Sequence, residues 1–498
     1  KYVDLAFHYE QAQRGEKTRE YLEKAAHHAQ ENFQNSAALQ FYQKLIPRIH
    51  DPAERARIIL QQAKVLELIG EWEACEASLQ KALQLAQKIE DQLLNGRAYN
   101  RIGRLSMLRG SYTQAHQYFE LAQEIFENID NLLGIAKIYG NLGHLYFRQG
   151  AYSLANDYYE KSLALSRQHR LPNSPASIVA HQGLAYMNRG AYEAGIQCLL
   201  DELVVFESRN DKPGLATLYT NLGIVYFEKG DYAEAQHYYE KGLTYSEELG
   251  NKQLTAIAIG CMGSVYQQQG DYAAALENFL TDLKICEEMG DKQGIAIALS
   301  LLGELRVIEG EFDLARDYLE NALQLSEELN YQKGVAKVVN NLGDLYTFLA
   351  DHPQAIHYYD RAIDIARRIK NQLVLGFSLV EKSEVLLRMA KLDDVRVLQP
   401  ECNQIAEKLG NPELLFQARR RRARLRAAEN DSEAAHAILL PLLDTDLDSA
   451  ERADILFELY QIETPAASYR REALQLYQAL YAHSPMYRFH QRIEVLQS

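Results

Sequence analysis

The residue types that perform most enzyme chemistry occur in this chain, but their spacing does not combine them into a site. The 14 histidines include the adjacent pair His27-His28, and adjacent helical residues point about 100° apart, which suits a metal poorly. No phosphate-loop, nucleophile-elbow or zinc-protease motif occurs. The five cysteines form no C-x-x-C pair and no disulfide framework: Cys75, Cys198, Cys261, Cys286 and Cys402. We therefore predict a protein that is not an enzyme, with no catalytic residue, metal or cofactor.

The amino-acid composition further limits the class of protein to which the chain can belong. The chain of 498 residues has 47% hydrophobic and 24% charged residues, as soluble folded proteins do. Only 11 prolines occur, and the abundant Ala, Leu, Gln and Glu favour helices. The formal net charge of −15 argues against general nucleic-acid binding. No apolar run is long enough to span a bilayer, and the dispersed cysteines suit a reducing cytoplasm, which is the predicted location.

Two series of glycines recur every forty residues, and fixed-period similarity of this kind indicates a solenoid. The first series is Gly70, Gly110, Gly150, Gly190, Gly230, Gly270 and Gly310. The second series is Gly103, Gly143, Gly183, Gly223, Gly263, Gly303 and Gly343. An aromatic residue generally follows the first series by two positions, and a small residue follows by five. The chain is therefore predicted to repeat one structural unit many times.

Each unit has the pattern of two helices. Tyr139, Gly143 and Tyr146 share one face of a first helix, because they are spaced at i, i+4 and i+7. Gly150 is predicted to end this helix, since glycine accepts the left-handed conformation that closes a helix. Ala155 marks the inner face of the second helix. Gly143 and Ala155 are interpreted as small residues that let the two helices approach closely.

The strings L-G-x-x-Y and G-x-Y-x-x-A resemble the tetratricopeptide repeat over about residues 57–370. The forty-residue period and the connector at 248–256 are similar to the longer variant found in LGN/Pins-type adaptors. The resemblance implies an all-α fold, a right-handed α-solenoid of about ten to twelve helix pairs. We predict atypical connector helices at 1–50, regular repeats at 51–390, and degenerate repeats with capping helices at 391–498.

The first helices of successive units differ from one another in one stripe of residues. These residues lie at offsets −6, −3, +1 and +4 from the glycines of the second series. The resemblance implies that this stripe lines a concave ligand-binding surface. Its N-terminal part is basic or polar: Arg57, Lys64, Arg97, Asn100, Arg104, Lys137 and His144. Its middle is apolar: Phe147, Leu184, Met187, Ile224, Phe227 and Ile257. Its C-terminal part is mostly acidic or amide: Glu304, Lys337, Asn340, Asp344 and Glu384. Solvent exposure alone would explain the charges, but the apolar middle favours an interaction site.

Two functions remain open. The first is a scaffold that binds a protein or peptide with acidic and apolar anchors, without membrane or nucleic-acid partners. The second is a ligand-sensing module of a longer regulator, because residues 2–46 resemble the connector of bacterial STAND-type NTPases and repeat-bearing nucleotide cyclases. The first residue, Lys1, is not Met, which fits a fragment linked to an upstream signalling domain. The basic run Arg419–Arg422 is interpreted as either a solvated or acid-paired helix or a contact for an anion or RNA.

Overall fold

The structure is a computed structural model that describes residues 2–12, 14–32, 34–69, 71–149, 151–169, 176–445, 447, 449–462, 467–483 and 486–497. Its regular elements are helices, and no strand occurs among these residues. Three helices come first: α1 (Tyr2–Gln11), α2 (Gly15–Glu31) and α3 (Asn35–Leu45), followed by a short 3-10 turn (Ile46–Arg48). Among the helices that the structure describes, none combines the length and the apolar character that a membrane crossing requires.

Ten helix pairs follow, and in each pair the even-numbered helix is the first helix of the unit. They are α4 (Pro52–Leu68), α5 (Trp72–Lys88), α6 (Gln92–Leu108), α7 (Tyr112–Asn128), α8 (Leu132–Arg148), α9 (Tyr152–Gln168), α10 (Ala176–Met187), α11 (Tyr192–Ser208), α12 (Lys212–Lys229), α13 (Tyr232–Glu248), α14 (Lys252–Gln268), α15 (Tyr272–Met289), α16 (Lys292–Glu309), α17 (Phe312–Glu328), α18 (Gln332–Phe348), α19 (His352–Arg368), α20 (Gln372–Arg388), α21 (Leu392–Leu409), α22 (Pro412–Ala428) and α23 (Ser432–Leu439). A 3-10 turn (Leu440–Asp444) leads to α24 (Ser449–Ile462), α25 (Ala467–His483) and α26 (Tyr487–Gln497).

The helix boundaries follow from local sequence. The connector places Asn or Asp immediately before a first helix: the side chains of Asn251 and Asp291 accept the backbone N–H groups of Leu254 and Gly294, which caps free donors at the helix start. At the other end, Gly230 has φ 89°, the left-handed conformation that closes a helix. Gly70 and Gly150 of the same series lie outside the described residues.

The second glycine series packs helix against helix. A Cβ atom at Gly143 would lie 2.4 Å from Cε1 of Tyr159, and one at Gly223 would lie 2.5 Å from the ring of Tyr239. Both tyrosines are buried, as is Ala155. Glycine is therefore needed at these positions because an aromatic ring of the second helix occupies the space of a side chain.

The helix pairs continue where the sequence pattern fades. Beyond residue 343 the left-handed position is taken by Ala350 (φ 58°), Ala390 (φ 55°) and Asn430 (φ 62°) in place of glycine. The repeated unit thus reaches residue 439, although its glycine marker does not. The division of the sequence at residues 50 and 390 stays a prediction.

First helices of successive units pack on one another, for example α4 on α6 and α6 on α8, so they form the concave side. The solenoid also contacts itself. Asn330 donates a hydrogen bond to the backbone oxygen of Arg109, 221 residues earlier. Asn411 donates to the backbone oxygen of Glu228 over 3.1 Å. Because these contacts join residues 221 and 183 positions apart, successive turns of the solenoid touch.

Two of the four arginines of the basic run are buried and paired with acidic side chains, and the other two are exposed. Arg420 is buried in α22 and lies 2.8 Å from the carboxylate of Glu458 and 3.0 Å from that of Asp454. Arg421 lies 3.1 Å from the carboxylate of Glu384. Glu384 is itself buried, so this residue of the predicted groove stripe serves the internal ion-pair network.

Candidate binding groove

The groove is defined here as the surface formed by the −6, −3, −2, +1 and +4 positions of the first helices α4 to α20. The −6 positions are the more accessible: Arg97, Lys137, Ile257, Ile297 and Lys337 are all exposed. Side chains at +1, such as Arg104, Leu184, Ile224 and Glu304, are half-buried. Phe147, Met187 and Phe227 at +4 are also half-buried. Helical geometry puts these positions on one face, because offsets of seven residues correspond to two turns.

The basic end of the groove is formed by five cations, of which two, Arg101 and Arg104, contact the carboxylate of Glu67. Glu67 accepts a hydrogen bond from Arg104 over 2.6 Å and lies 3.9 Å from Arg101. Partial burial and the charges of Arg101 and Arg104 lower the pKa of Lys64. Partial burial and the charges of Arg97 and Arg101 lower the pKa of Lys137. The cations are therefore close enough to repel one another, and an anion between them would relieve that repulsion.

Two predicted members of the basic end behave differently. Arg57 pairs with Glu23 of α2 over 2.7 Å, so its charge is balanced within the protein. His144 packs edge-on to His181, with ring centroids 4.2 Å apart, and its Nδ1 lies 3.1 Å from the hydroxyl of Tyr159. Burial, and then the neighbouring His181, depress the pKa of His144 well below its ordinary value. His144 is thus a neutral residue of the groove wall and adds no positive charge.

The middle of the groove is apolar. Phe147, Leu184 and Met187 pack on the edge of one core cluster, and Ile224 and Phe227 on the edge of the next. Ile257 and Ile297 stand further out, with 42% and 40% of their surfaces exposed. Ile297 was not singled out by the sequence analysis, although it occupies the same −6 position as Ile257 one unit later.

The amide side chains of the stripe already have protein partners. Asn100 accepts a hydrogen bond from Asn141 over 2.6 Å. Asn340 accepts from the hydroxyl of Ser378 over 2.7 Å and lies 3.4 Å from Asp344. These contacts join neighbouring first helices, so a structural function accounts for both asparagines.

The acidic end lies on α16, α18 and α20, where the carboxylates of Glu304, Asp344 and Glu381 come together. Burial, and then the charges of Glu381 and Glu304, raise the pKa of Asp344 well above its ordinary value. Lys337 lies 3.5 Å from Glu304 at one side of the cluster. Arg421 lies 3.8 Å from Glu381 at the other side. The described residues contain no group of three or more histidine, cysteine or acidic side chains arranged to hold a metal ion.

Comparison with known families decides the identity of the repeats. The tetratricopeptide repeat matches residues 54–128, 94–168, 175–248, 254–328 and 294–368, which together cover more than half of the chain. The chain belongs to the tetratricopeptide repeat family. The matches begin at residue 54, so the resemblance of residues 2–46 to a STAND-type connector stays a prediction.

Solved structures share the fold of this tetratricopeptide array. A Rap protein complexed with Competence and Sporulation Factor aligns with 72% of this chain and 99% of its own, at 16% identity and a TM-score of 0.51. A Rap conjugation gene regulator of the plasmid pLS20, in complex with the Phr* peptide, aligns with 69% of this chain and 96% of its own, at 16% identity and a TM-score of 0.48. The apo quorum sensor NprR from B. thuringiensis aligns with 69% of this chain and 98% of its own, at 15% identity and a TM-score of 0.46. A comparison with curated protein sequences gives no significant match.

The tetratricopeptide groove also contains residues that sequence analysis missed. Arg101 and Glu381 both lie two positions before the repeat position of Gly143, at opposite ends of the groove. Gln267 occupies the +4 position in α14 and donates a hydrogen bond to Glu304 over 2.9 Å. The forty-residue repeat contains the signal for all three residues. Sequence analysis would have found them if it had included the −2 position and had compared the +4 position in every unit.

Proposed function

We propose that this tetratricopeptide array binds an extended peptide segment along the groove, with acidic side chains at the basic end and apolar side chains in the middle. One observation carries the proposal: the groove positions change from basic to apolar to acidic along successive units, while the packing positions repeat. Residues that only hold the units together have no reason to vary in this ordered way.

The apolar middle supplies the anchor. Ile257 and Ile297 expose large side chains on successive first helices, and Phe227 on the preceding first helix is half-buried. Exposed apolar clusters of this kind mark interaction surfaces, because their burial by a partner is favourable. A peptide whose apolar side chains cover Ile257 and Ile297 removes these exposed surfaces from water, which favours binding.

The basic end sets the charge of the peptide. Arg97 and Lys137 lie on the packed neighbours α6 and α8, and packed helices are separated by about 8–10 Å. An extended chain advances by roughly 3.4 Å per residue, so acidic side chains about three residues apart would meet the two cations. The excess of five cations over the single carboxylate of Glu67 favours a segment with more than one acidic group.

The Rap protein of similar fold was solved in complex with Competence and Sporulation Factor, so an array of this shape is known to form a ligand complex. That likeness concerns the fold, and the proposal depends on the groove residues of this chain. The sequence-based alternative, a sensory module within a longer regulator, would use the same groove and stays a prediction. The reading frame upstream of Lys1 tests it, since a phosphate-loop or cyclase domain there would support it.

Selection of random 20-residue peptides displayed against the full chain tests the proposed function, because an extended peptide of about this length spans the groove from α6 to α14. We expect enriched sequences with acidic residues beside apolar ones, and we expect Ile257→Ala to weaken their binding at every salt concentration. Arg97→Glu should weaken binding mainly at low salt, because screening already reduces the charge contribution at high salt. Leu280→Ala, which changes a 43% exposed residue of the second helix α15, and Arg209→Glu are the matched controls. Equal binding by all four variants would contradict the proposal.

A further inference from the structure

The central carboxylate of the acidic end lacks a cationic partner among the described residues. Asp344 accepts a hydrogen bond from the hydroxyl of Tyr359 over 2.7 Å and one from the amide of Asn340 over 3.4 Å. Both donors are neutral. The cations Lys337 and Arg421 lie beside the outer carboxylates Glu304 and Glu381, so neither forms an ion pair with the central Asp344.

A second, independent feature lies beside this cluster. Gln267 is only 9% exposed, and its amide nitrogen donates to a carboxylate oxygen of Glu304. Its amide oxygen, Oε1, is buried and has no hydrogen-bond donor among the described residues. Buried carbonyl oxygens are nearly always paired, so an unpaired one beside a carboxylate indicates a missing donor. A ligand that carries N–H groups and positive charge would satisfy both Gln267 and Asp344.

We propose that the acidic end binds a cationic group of the ligand, an ammonium or a guanidinium, between Gln267, Glu304 and Asp344. An ammonium offers three N–H donors and a guanidinium offers five, enough to reach an amide oxygen and two carboxylates together. Charge-assisted hydrogen bonds to carboxylates are also stronger than neutral ones.

The proposal rests on the proposed function and extends it, because it gives the ligand a direction. The ligand's acidic groups bind near Arg97 and Lys137, and its cationic group binds near Asp344. A peptide of the reverse polarity would place like charges together at both ends of the groove. The two charged ends of the groove therefore fix which end of the ligand lies at α6 and which at α18.

Saturation-transfer NMR with two small probes tests this site without a known ligand. N-acetyl-arginine methylamide carries the guanidinium, and N-acetyl-citrulline methylamide has almost the same shape without the charge. For the full wild-type chain we expect the arginine probe to bind at least about tenfold more tightly, the factor that one lost charge-assisted hydrogen bond produces. Asp344→Asn should remove this preference while its side-chain oxygen still accepts the hydrogen bond of Tyr359.

Asp317→Asn is the matched control, because Asp317 is an exposed carboxylate on the second helix α17; it should keep the preference. Circular dichroism checks that both variants remain helical. Equal binding of the two probes by the wild-type chain, or an undiminished preference in Asp344→Asn, would overturn the inference. These outcomes differ from failure of the proposed function, which would appear as binding of the selected 20-residue peptides that is insensitive to Ile257→Ala and Arg97→Glu.

Discussion

Asp282 provides a quantitative test of the packing between α14 and α15. The residue is only 6% exposed, and its carboxylate accepts a hydrogen bond from the thiol of Cys286 over 3.3 Å. It also lies against Gly260 of α14, where a Cβ atom would be 2.6 Å from Oδ2. Burial raises the pKa of Asp282 to about 7, against the smaller opposing effect of the Cys286 hydrogen bond.

The magnitude follows from linkage between protonation and folding. An aspartate ordinarily has a pKa of about 3.9, and each unit of difference corresponds to about 1.4 kcal/mol, so ionised Asp282 destabilises the fold by roughly 4 kcal/mol. Because the folded state holds the proton more tightly, this loss begins above the ordinary pKa and is complete above about pH 7. Between pH 6 and pH 8 the free energy of unfolding should fall by about 1.4 kcal/mol from this group alone.

Asp282→Asn keeps an oxygen for the Cys286 thiol and removes the charge. We expect the variant to be more stable than the wild type at pH 8, with a difference that shrinks at pH 6. Urea unfolding followed by circular dichroism at pH 6, 7 and 8 measures this, with Asp317→Asn as the exposed control. A wild type and an Asp282→Asn variant whose stabilities change in parallel with pH would refute the reasoning, as would a variant less stable at pH 8.

Three further predictions concern other parts of the solenoid. Gly143→Val should lower the unfolding free energy by about 1–3 kcal/mol in urea denaturation, because the new side chain enters the space of an aromatic ring. Gly110→Cys combined with Asn330→Cys should give a disulfide on mild oxidation, detected by non-reducing peptide mapping, since these positions touch between turns. Arg420→Ala should destabilise by about 3–5 kcal/mol because it leaves buried carboxylates unpaired, whereas the exposed Arg419→Ala should change thermal unfolding little.

The repeated architecture could be predicted from sequence because local packing repeats with it. Gly143 and Tyr159 recur as Gly223 and Tyr239, and each such pair needs only its own unit to be recognised. Another residue can adopt the left-handed conformation that glycine has in earlier units, as Ala350 does. The glycine that marks the repeat in the sequence is then lost, although the helix pairs continue. The turn-to-turn contacts could not be predicted, because they join residues 183 and 221 positions apart and no sequence pattern marks them.

The groove was predictable in outline and less so in detail. Its exposed positions follow from helical geometry, so Arg97 and Ile257 could be placed from their offsets. The state of His144 could not, because His181 of the following unit covers its ring. The acidic end likewise depends on the approach of three helices, which brings Glu381 beside Asp344 and raises the pKa of the latter.

Photo-crosslinking with a selected 20-residue peptide tests the central claim, that the concave groove is the binding surface, most directly. The peptide carries a benzophenone at its central apolar position, and mass spectrometry identifies the protein residues that become attached. The groove account predicts attachment within the first helices α12, α14 and α16, near Phe227, Ile257 and Ile297. Attachment mainly to second helices, for example near Leu280 of α15, would contradict it.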